Sequence, residues 1–312
     1  MTAENGATRR TSGKKLVIAA AGAMMIAAAG SGVVGTAAAS PRQITGPGGT
    51  CADAASAGTA GGAGVRPNGC AGDRTWTPLS SAALDPTVSP GGNFDLSVWE
   101  LQLPIGSPGS PTTIPPSRLK GANGYTNPAY FWTDKNDGSM TFWDPESGVT
   151  TPNSNYPRSE LREMNADGSA ADWSLSGTHR LSARLRIVSV TSNVCVGQIH
   201  LGSGGSSTKP LLELYYHSNG DIVLGLENSP DGGQTLHTLA NVALGTQWSY
   251  IIAITGGRIQ ITVNGSTTSY PIASGFNSYH QYFKAGDYNQ SASDSTSKGA
   301  KVKFYALTVA HG

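Results

Sequence analysis

The sequence carries little charge. Of its 312 residues 13% are Asp, Glu, Lys or Arg, and 21 basic residues nearly balance 20 acidic ones. So neutral a chain has no global attraction for nucleic acid or any other polyanion, and a polyanionic ligand would need a local basic groove. Cysteine is scarce, with three in all. No cysteine pair stands at zinc-ligand spacing, and the six histidines show no His-Glu-x-x-His run. A Gly-x-Ser-x-Gly elbow and a phosphate-cradling Gly-x-x-x-x-Gly-Lys loop are both missing. No stretch reads as an amphipathic helix. The one long apolar run, Leu16 to about Ala29, sits near the start and is short and Ala/Gly-rich for a membrane span.

That run has company. Arg9, Arg10, Lys14 and Lys15 precede it, and Ala37-Ala38-Ala39 follows it before Ser40. A basic start, an apolar stretch and an Ala-x-Ala ending make residues 1–39 an export signal, so the chain is expected to be secreted and free of the membrane once cut. The Arg9-Arg10 pair leaves the export route, general or twin-arginine, open. Four basic residues and one acidic residue lie in the signal, so the remaining chain has a formal charge of −2.

Residues 40–85 read as a Gly/Ala-rich extension. Cys51 and Cys70 bracket much of it, and in an oxidising compartment they are a candidate disulfide. Cys195 is left over in an apolar strand-like run, where a buried free thiol is the expectation.

From residue 86 to 312 the texture is that of one all-β domain. Forty-one glycines in the whole sequence suit short strands joined by tight turns. Candidate strands are 97–103 (stopping at Pro104), 139–143, 178–190, 193–201, 210–216, 221–227, 247–255, 258–264, 267–272, 281–290 and 300–310. Asn264-Gly265 marks a two-residue hairpin. Strands at this spacing suit an antiparallel sandwich or barrel. Composition does not separate a jelly roll from an immunoglobulin-like sandwich, but the length and the absence of repeats favour one large β-jelly roll, a sandwich of two antiparallel sheets with one concave. Segments 104–125 and 202–209 read as loops. Nothing suggests an oligomer, and a monomer is expected.

Three segments place polar side chains at alternate strand positions, hence on one face. Arg158, Glu160 and Arg162 form the first set, with Glu160 expected to hold the two guanidiniums as an anion site. A solvated face with surface ion pairs is the alternative. Gln198 and His200 form the second set, and Cys195, Gly197 and Ile199 take the opposite, core-like face. Tyr282, Lys284, Gly286, Tyr288 and Gln290 form the third, where Gly286 leaves room for close approach of a substrate. Together these groups suit removal of a proton α to a carboxylate. Arg and an amide neutralise the carboxylate, His is the base and a Tyr hydroxyl protonates the leaving oxygen. A two-carboxylate hydrolase fits less well, since Glu160 is the one carboxylate on these three faces. A non-catalytic carbohydrate-binding jelly roll has no need of the His, Tyr and Arg together.

At these residues the sequence closely resembles the alginate lyases of polysaccharide lyase family 7. The family's motifs appear as Arg158-Ser159-Glu160-Leu161-Arg162, Gln198-Ile199-His200 and Tyr282-Phe283-Lys284-Ala285-Gly286-Asp287-Tyr288-Asn289-Gln290. Leu96 to Pro104 resembles the family's first strand, so the likeness covers about residues 90–312. It implies a jelly roll with a long open substrate cleft that cleaves alginate by β-elimination, with Arg158, Gln198, His200 and Tyr288 catalytic. Glu160, Arg162, Tyr282, Lys284 and Gln290 would bind substrate, and no metal or organic cofactor is expected. Ile199 leans the expectation toward guluronate-containing blocks. Another polyuronate, such as a glucuronan, fits the same chemistry.

Overall fold

The computed structural model describes residues 51–54, 65–68 and 83–312. The export signal and Cys70 lie outside these residues. Inside the expected extension, β1 (Cys51–Ala54) and β2 (Val65–Asn68) pair antiparallel.

The remaining strands are β3 (Trp99–Ser107), β4 (Ser110–Ile114), β5 (Phe131–Thr133), β6 (Met140–Pro145), β7 (Ser159–Glu163), β8 (Thr178–Ser189), β9 (Asn193–Leu201) and β10 (Pro210–His217). They continue with β11 (Asp221–Ser229), β12 (Gly232–Asn241), β13 (Gln247–Thr255), β14 (Arg258–Val263), β15 (Ser266–Pro271), β16 (Gln281–Asn289) and β17 (Gly299–His311). One sheet has eight strands in the order β12-β11-β10-β9-β16-β7-β3-β4, the other seven in the order β15-β14-β13-β8-β17-β6-β5. Every pairing is antiparallel, giving the jelly-roll sandwich. The described helices are single turns, α1 (Pro90–Asn93) and α2 (Pro116–Leu119), plus a 3₁₀ turn at Ser274–Phe276.

Alternation builds the core. Trp99, Leu101, Leu103, Leu161, Phe283 and Ala285 of the larger sheet meet Leu181, Leu185, Ile252, Ile254, Phe142 and Phe304 of the smaller. The rings of Phe131, Phe142 and Phe304 pack in series at 5.1 and 5.5 Å. The β14–β15 hairpin turns through Asn264 (φ 48°) and Gly265 (φ 87°), the two left-handed residues such a turn requires.

Two expectations change. Strand β3 runs through Pro104 to Ser107 instead of stopping. Its pairing with β7 ends at Gln102, so the proline nitrogen has no ladder bond to make there, while its carbonyl accepts from Val149. The expected loop 104–125 therefore contains the end of β3, all of β4 and α2. The sequence reading also missed β12, whose polar composition looks like a loop.

The other change reshapes the site. β9 shifts register between Gly197 and Cys195 against both neighbours, β10 and β16. Val196 and Gly197 both turn toward the core: Val196 packs in it, and a Cβ on Gly197 would sit 2.8 Å from the Tyr250 hydroxyl oxygen. Tyr250 in turn donates to the Val196 carbonyl at 2.8 Å. The bulge reverses the alternation beyond it, so Cys195 joins Tyr288 on the face away from the core instead of lying opposite Gln198.

Candidate active site

The face of the eight-stranded sheet turned away from the core brings the three motifs together, because β7, β16 and β9 are adjacent. Lys284 pairs in register with Arg162 on one side and Gln198 on the other. Tyr282 pairs with His200, and Tyr288 with Cys195.

Glu160 is the centre of the arrangement and is 1% exposed. Lys284 forms an ion pair with its Oε2, Arg158 Nη1 lies 3.3 Å from the same oxygen, and Gln198 Nε2 donates to Oε1 at 2.5 Å. Burial alone would raise this carboxyl, but Lys284, Arg158 and the hydrogen bonds outweigh it and hold its pKa below the ordinary value. Two cations thus share one carboxylate and leave a surplus positive charge. Lys284 shows the strain of that sharing: burial and the Arg158 charge bring its pKa down to about 8 despite Glu160.

Expected among the substrate-binding groups, Glu160 lies beneath them instead and acts through the side chains it holds. Nor does it hold both guanidiniums. Arg162 stands over the Tyr282 ring, with its carbon 4.0 Å from the centroid, and donates to the Glu163 carbonyl at 2.9 Å. Tyr282 stacks on His200, with centroids 5.2 Å apart. Arg158 takes the equivalent place over Tyr288, at 3.9 Å. Each tyrosine of the third motif is therefore backed by one arginine of the first.

His200 is half-buried, and its Nδ1 lies 3.0 Å from the Leu201 carbonyl. A carbonyl only accepts, so Nδ1 carries the proton and Nε2 is left as a bare lone pair. Burial, then the charges of Lys284 and Arg158, push the imidazole pKa down to about 3. The hydroxyl of Tyr288 lies 2.9 Å from Ser154 Oγ, and burial raises its phenol pKa against the opposing effects of Arg158 and Ser154.

Gly286 does not make room for a substrate. A Cβ there would stand 2.8 Å from Glu160 Cα, so the glycine permits close approach of β7. Gln290 lies one residue past β16, half-buried, with its amide donating to the Tyr288 carbonyl at 3.1 Å.

Sequence reasoning missed several groups on this face. Glu213 pairs in register with Gln198 and accepts from the Tyr215 hydroxyl at 2.5 Å and from Gln234 Nε2 at 3.1 Å. Gln234 crosses β11 because Gly225 leaves the space: a Cβ there would meet the Gln234 side chain at 2.4 Å. A Glu and a Tyr two apart in the apolar run 210–216 were the available signal. Glu100, in register with Arg162, is another carboxylate of this row. Ser154 gave no signal, since its contact with Tyr288 spans 134 residues of chain.

Residues 94–311 match the family model "Alginate lyase". An alginate lyase of Klebsiella pneumoniae is 28% identical over 286 residues, taking in 72% of this chain and 92% of that protein. Among solved structures, the family 7 alginate lyase A1-II′, in a tyrosine-to-phenylalanine variant with the product GGG, is 35% identical with a TM-score of 0.65. That alignment covers 72% of this chain and all of that one. An alginate lyase of Pseudomonas aeruginosa is 33% identical with a TM-score of 0.64, over 70% of this chain and 100% of its own. The chain belongs to the alginate lyases of polysaccharide lyase family 7.

Proposed function

We propose that this chain depolymerises alginate by β-elimination, with His200 as base and Tyr288 as acid on guluronate units. The observation that carries the reading is His200, whose Nδ1 is committed to Leu201 and whose bare Nε2 stands beside a knot with surplus positive charge. The uronate carboxylate sits against Arg158, Gln198 and Lys284, which offset its charge and so acidify C5–H. Nε2 of His200 takes the C5 proton, the freed electron pair forms the C4–C5 double bond, and the C4–O4 bond breaks. The departing O4 takes the proton of Tyr288. Arg162 and Tyr282 hold the neighbouring sugar and brace the imidazole.

Guluronate-containing or mixed blocks are the proposed substrate. Ile199 is fully buried in the core, so it acts on preference through packing. A1-II′ has been solved with product GGG and, as a His-to-Asn, Tyr-to-Phe variant, with substrate GGMG, both rich in G units. Export of residues 40–312 rests on the basic, apolar and Ala-x-Ala segments of the first 39 residues. Sequencing the protein recovered outside cells should give Ser40 as the first residue.

The test mixes residues 40–312 with guluronate-rich and mannuronate-rich alginate and follows the ultraviolet absorbance of the new double bond. The expected result is a faster rise on the guluronate-rich sample, with His200→Ala and Tyr288→Phe each slower by roughly 10²–10⁴-fold. Full activity in either variant would remove that residue's role.

A further inference from the structure

The connection between β6 and β7 carries a serine that reaches the proposed acid. Its course is tied down by the Ser147 amide to the Ser295 carbonyl at 3.0 Å and the Val149 amide to the Pro104 carbonyl at 2.9 Å. Ser154 closes a turn onto the Thr151 carbonyl at 3.1 Å and points its hydroxyl at Tyr288.

A proton count at Ser154 Oγ fixes the direction of each bond. The oxygen lies 2.9 Å from the Tyr156 carbonyl, which only accepts, so the single serine proton goes there. The Tyr156 amide donates back into the same oxygen at 3.2 Å. The remaining contact, 2.9 Å to Tyr288 Oη, then has Tyr288 as donor. In the free enzyme the phenol keeps its proton and donates it in a hydrogen bond to Ser154.

We propose that Ser154 is a positioning residue for the acid step, fixing Tyr288 Oη and, once the phenol proton has gone to the leaving oxygen, turning its own O–H from the Tyr156 carbonyl to the phenolate. The inference rests on Tyr288 being the acid. An oxygen held by three partners is a fixed point, and a hydroxyl is both acceptor and donor, so one side chain serves both states of Tyr288 without backbone movement. The remaining groups around Tyr288 cannot do this. Arg158 and Lys284 lie over its ring, at 3.9 and 5.9 Å from the centroid, and donate only. Tyr156 meets it edge-on at 6.3 Å, and Cys195 and Tyr215 pack beside it. Glu213 and Glu160 oppose formation of the phenolate by their charge.

The experiment compares wild type with Ser154→Ala, Ser154→Thr, Tyr288→Phe and the Ser154→Ala/Tyr288→Phe double variant on guluronate-rich alginate. Ser154 is half-exposed on a loop, and its truncation leaves the core untouched. The expected result is a kcat about tenfold lower in Ser154→Ala with KM within about twofold, and recovery of most of the loss in Ser154→Thr. The double variant should match Tyr288→Phe, because Ser154 acts through the phenol. The Tyr288 phenol, read as the difference titration between proteins with and without it, should ionise at higher pH in Ser154→Ala. A wild-type kcat in Ser154→Ala beside an inactive Tyr288→Phe would overturn the proposal alone. So would an additive loss in the double variant, or a threonine that rescues nothing. Full activity in Tyr288→Phe would overturn the acid assignment, and the proposal with it.

Discussion

Lys284 and Asp287 stand three residues apart on β16, both buried, on opposite faces of one sheet. On the outer face, Glu160 has an ion pair with Lys284, another with Arg158 and a hydrogen bond from Gln198, and it stays ionised. On the inner face, Asp287 and Asp144 of β6 are fully buried, and the bond found for their carboxyls is the Asn289 amide to Asp144 at 3.0 Å. Burial raises both inner carboxyls well above their ordinary range; each also repels the charge of Glu160, and Asp144 further raises Asp287. The two faces of β16 thus meet one carboxylate, Glu160 of β7, that donors and cations keep charged, and a pair, Asp287 with Asp144 of β6, that has fewer donors and is pushed by burial toward its neutral form. Charge survives in this fold where it has been given partners, and the outer face has more cation than it needs for itself.

The comparison is tested most severely by deleting each acid. Glu160→Ala leaves Arg158 and Lys284 buried without their anion and should destabilise the fold by about 3–5 kcal/mol in urea unfolding at pH 7. Asp287→Asn keeps in the fold the neutral form that burial favours, so it should cause no loss and should equal or exceed wild type in the same measurement. Equal losses in the two variants would mean that Asp287 is ionised and paired, and the contrast between the faces would fail.

A second test reads the surplus charge on the outer face. With Lys284 titrating at about 8, kcat/KM should be level below that pH and decline as the lysine loses its proton above it. The decline approaches about tenfold per pH unit if the charge is essential. Lys284→Arg should carry the limb to higher pH. On the acid side the free imidazole of His200, at about 3, should produce no limb near 6.5. An inflection near 6.5 in kcat/KM would show that burial does not hold this histidine neutral.

The inner face has its own pH signature. A carboxyl whose folded pKa is raised favours folding below its unfolded pKa of 3.8, and this contribution is lost as pH climbs through the folded value. The Asp287 contribution to stability should therefore fall above pH 3.8, by up to about 1.4 kcal/mol per pH unit for one such proton. Asp287→Asn should flatten that slope, and an unchanged slope would assign the pH dependence elsewhere.

Much of this was legible in the sequence, for a physical reason. Alternation fixes which side chains share a face, so Arg158 with Glu160, Gln198 with His200, and Tyr282 with Lys284 and Tyr288 were readable as sets. The Asn264-Gly265 turn and the ends of β9 and β13 were readable for the same local reasons. What depends on neighbouring strands was not. Nothing in residues 158–162 says that Glu160 reaches across to Lys284 and Gln198 while Arg162 turns to Tyr282. Gly286 looked like room for a ligand because the backbone of β7 that fills the space lies more than a hundred residues away. The Ser154 contact is of the same long-range kind.

Cys195 gives the finest test, since local periodicity put it on the wrong face. The bulge at Val196 and Gly197 turns its thiol toward Tyr288, Tyr215 and Val223, yet it remains fully buried, and burial with the nearby Glu213 charge raises its pKa well above the ordinary thiol value. A thiol so placed borders the site without being reactive. Iodoacetamide should label Cys195 negligibly in the native enzyme and fully in urea, as read by peptide mass, and Cys195→Ala should change stability by about 1 kcal/mol or less. Gly197→Ala is the paired change: its methyl meets the Tyr250 hydroxyl, so it should strain the bulge and raise native labelling of Cys195. Native labelling at the rate of an exposed cysteine in the unmutated enzyme would show that the outer face opens here, and that packing beside Tyr288 is looser than that around Glu160.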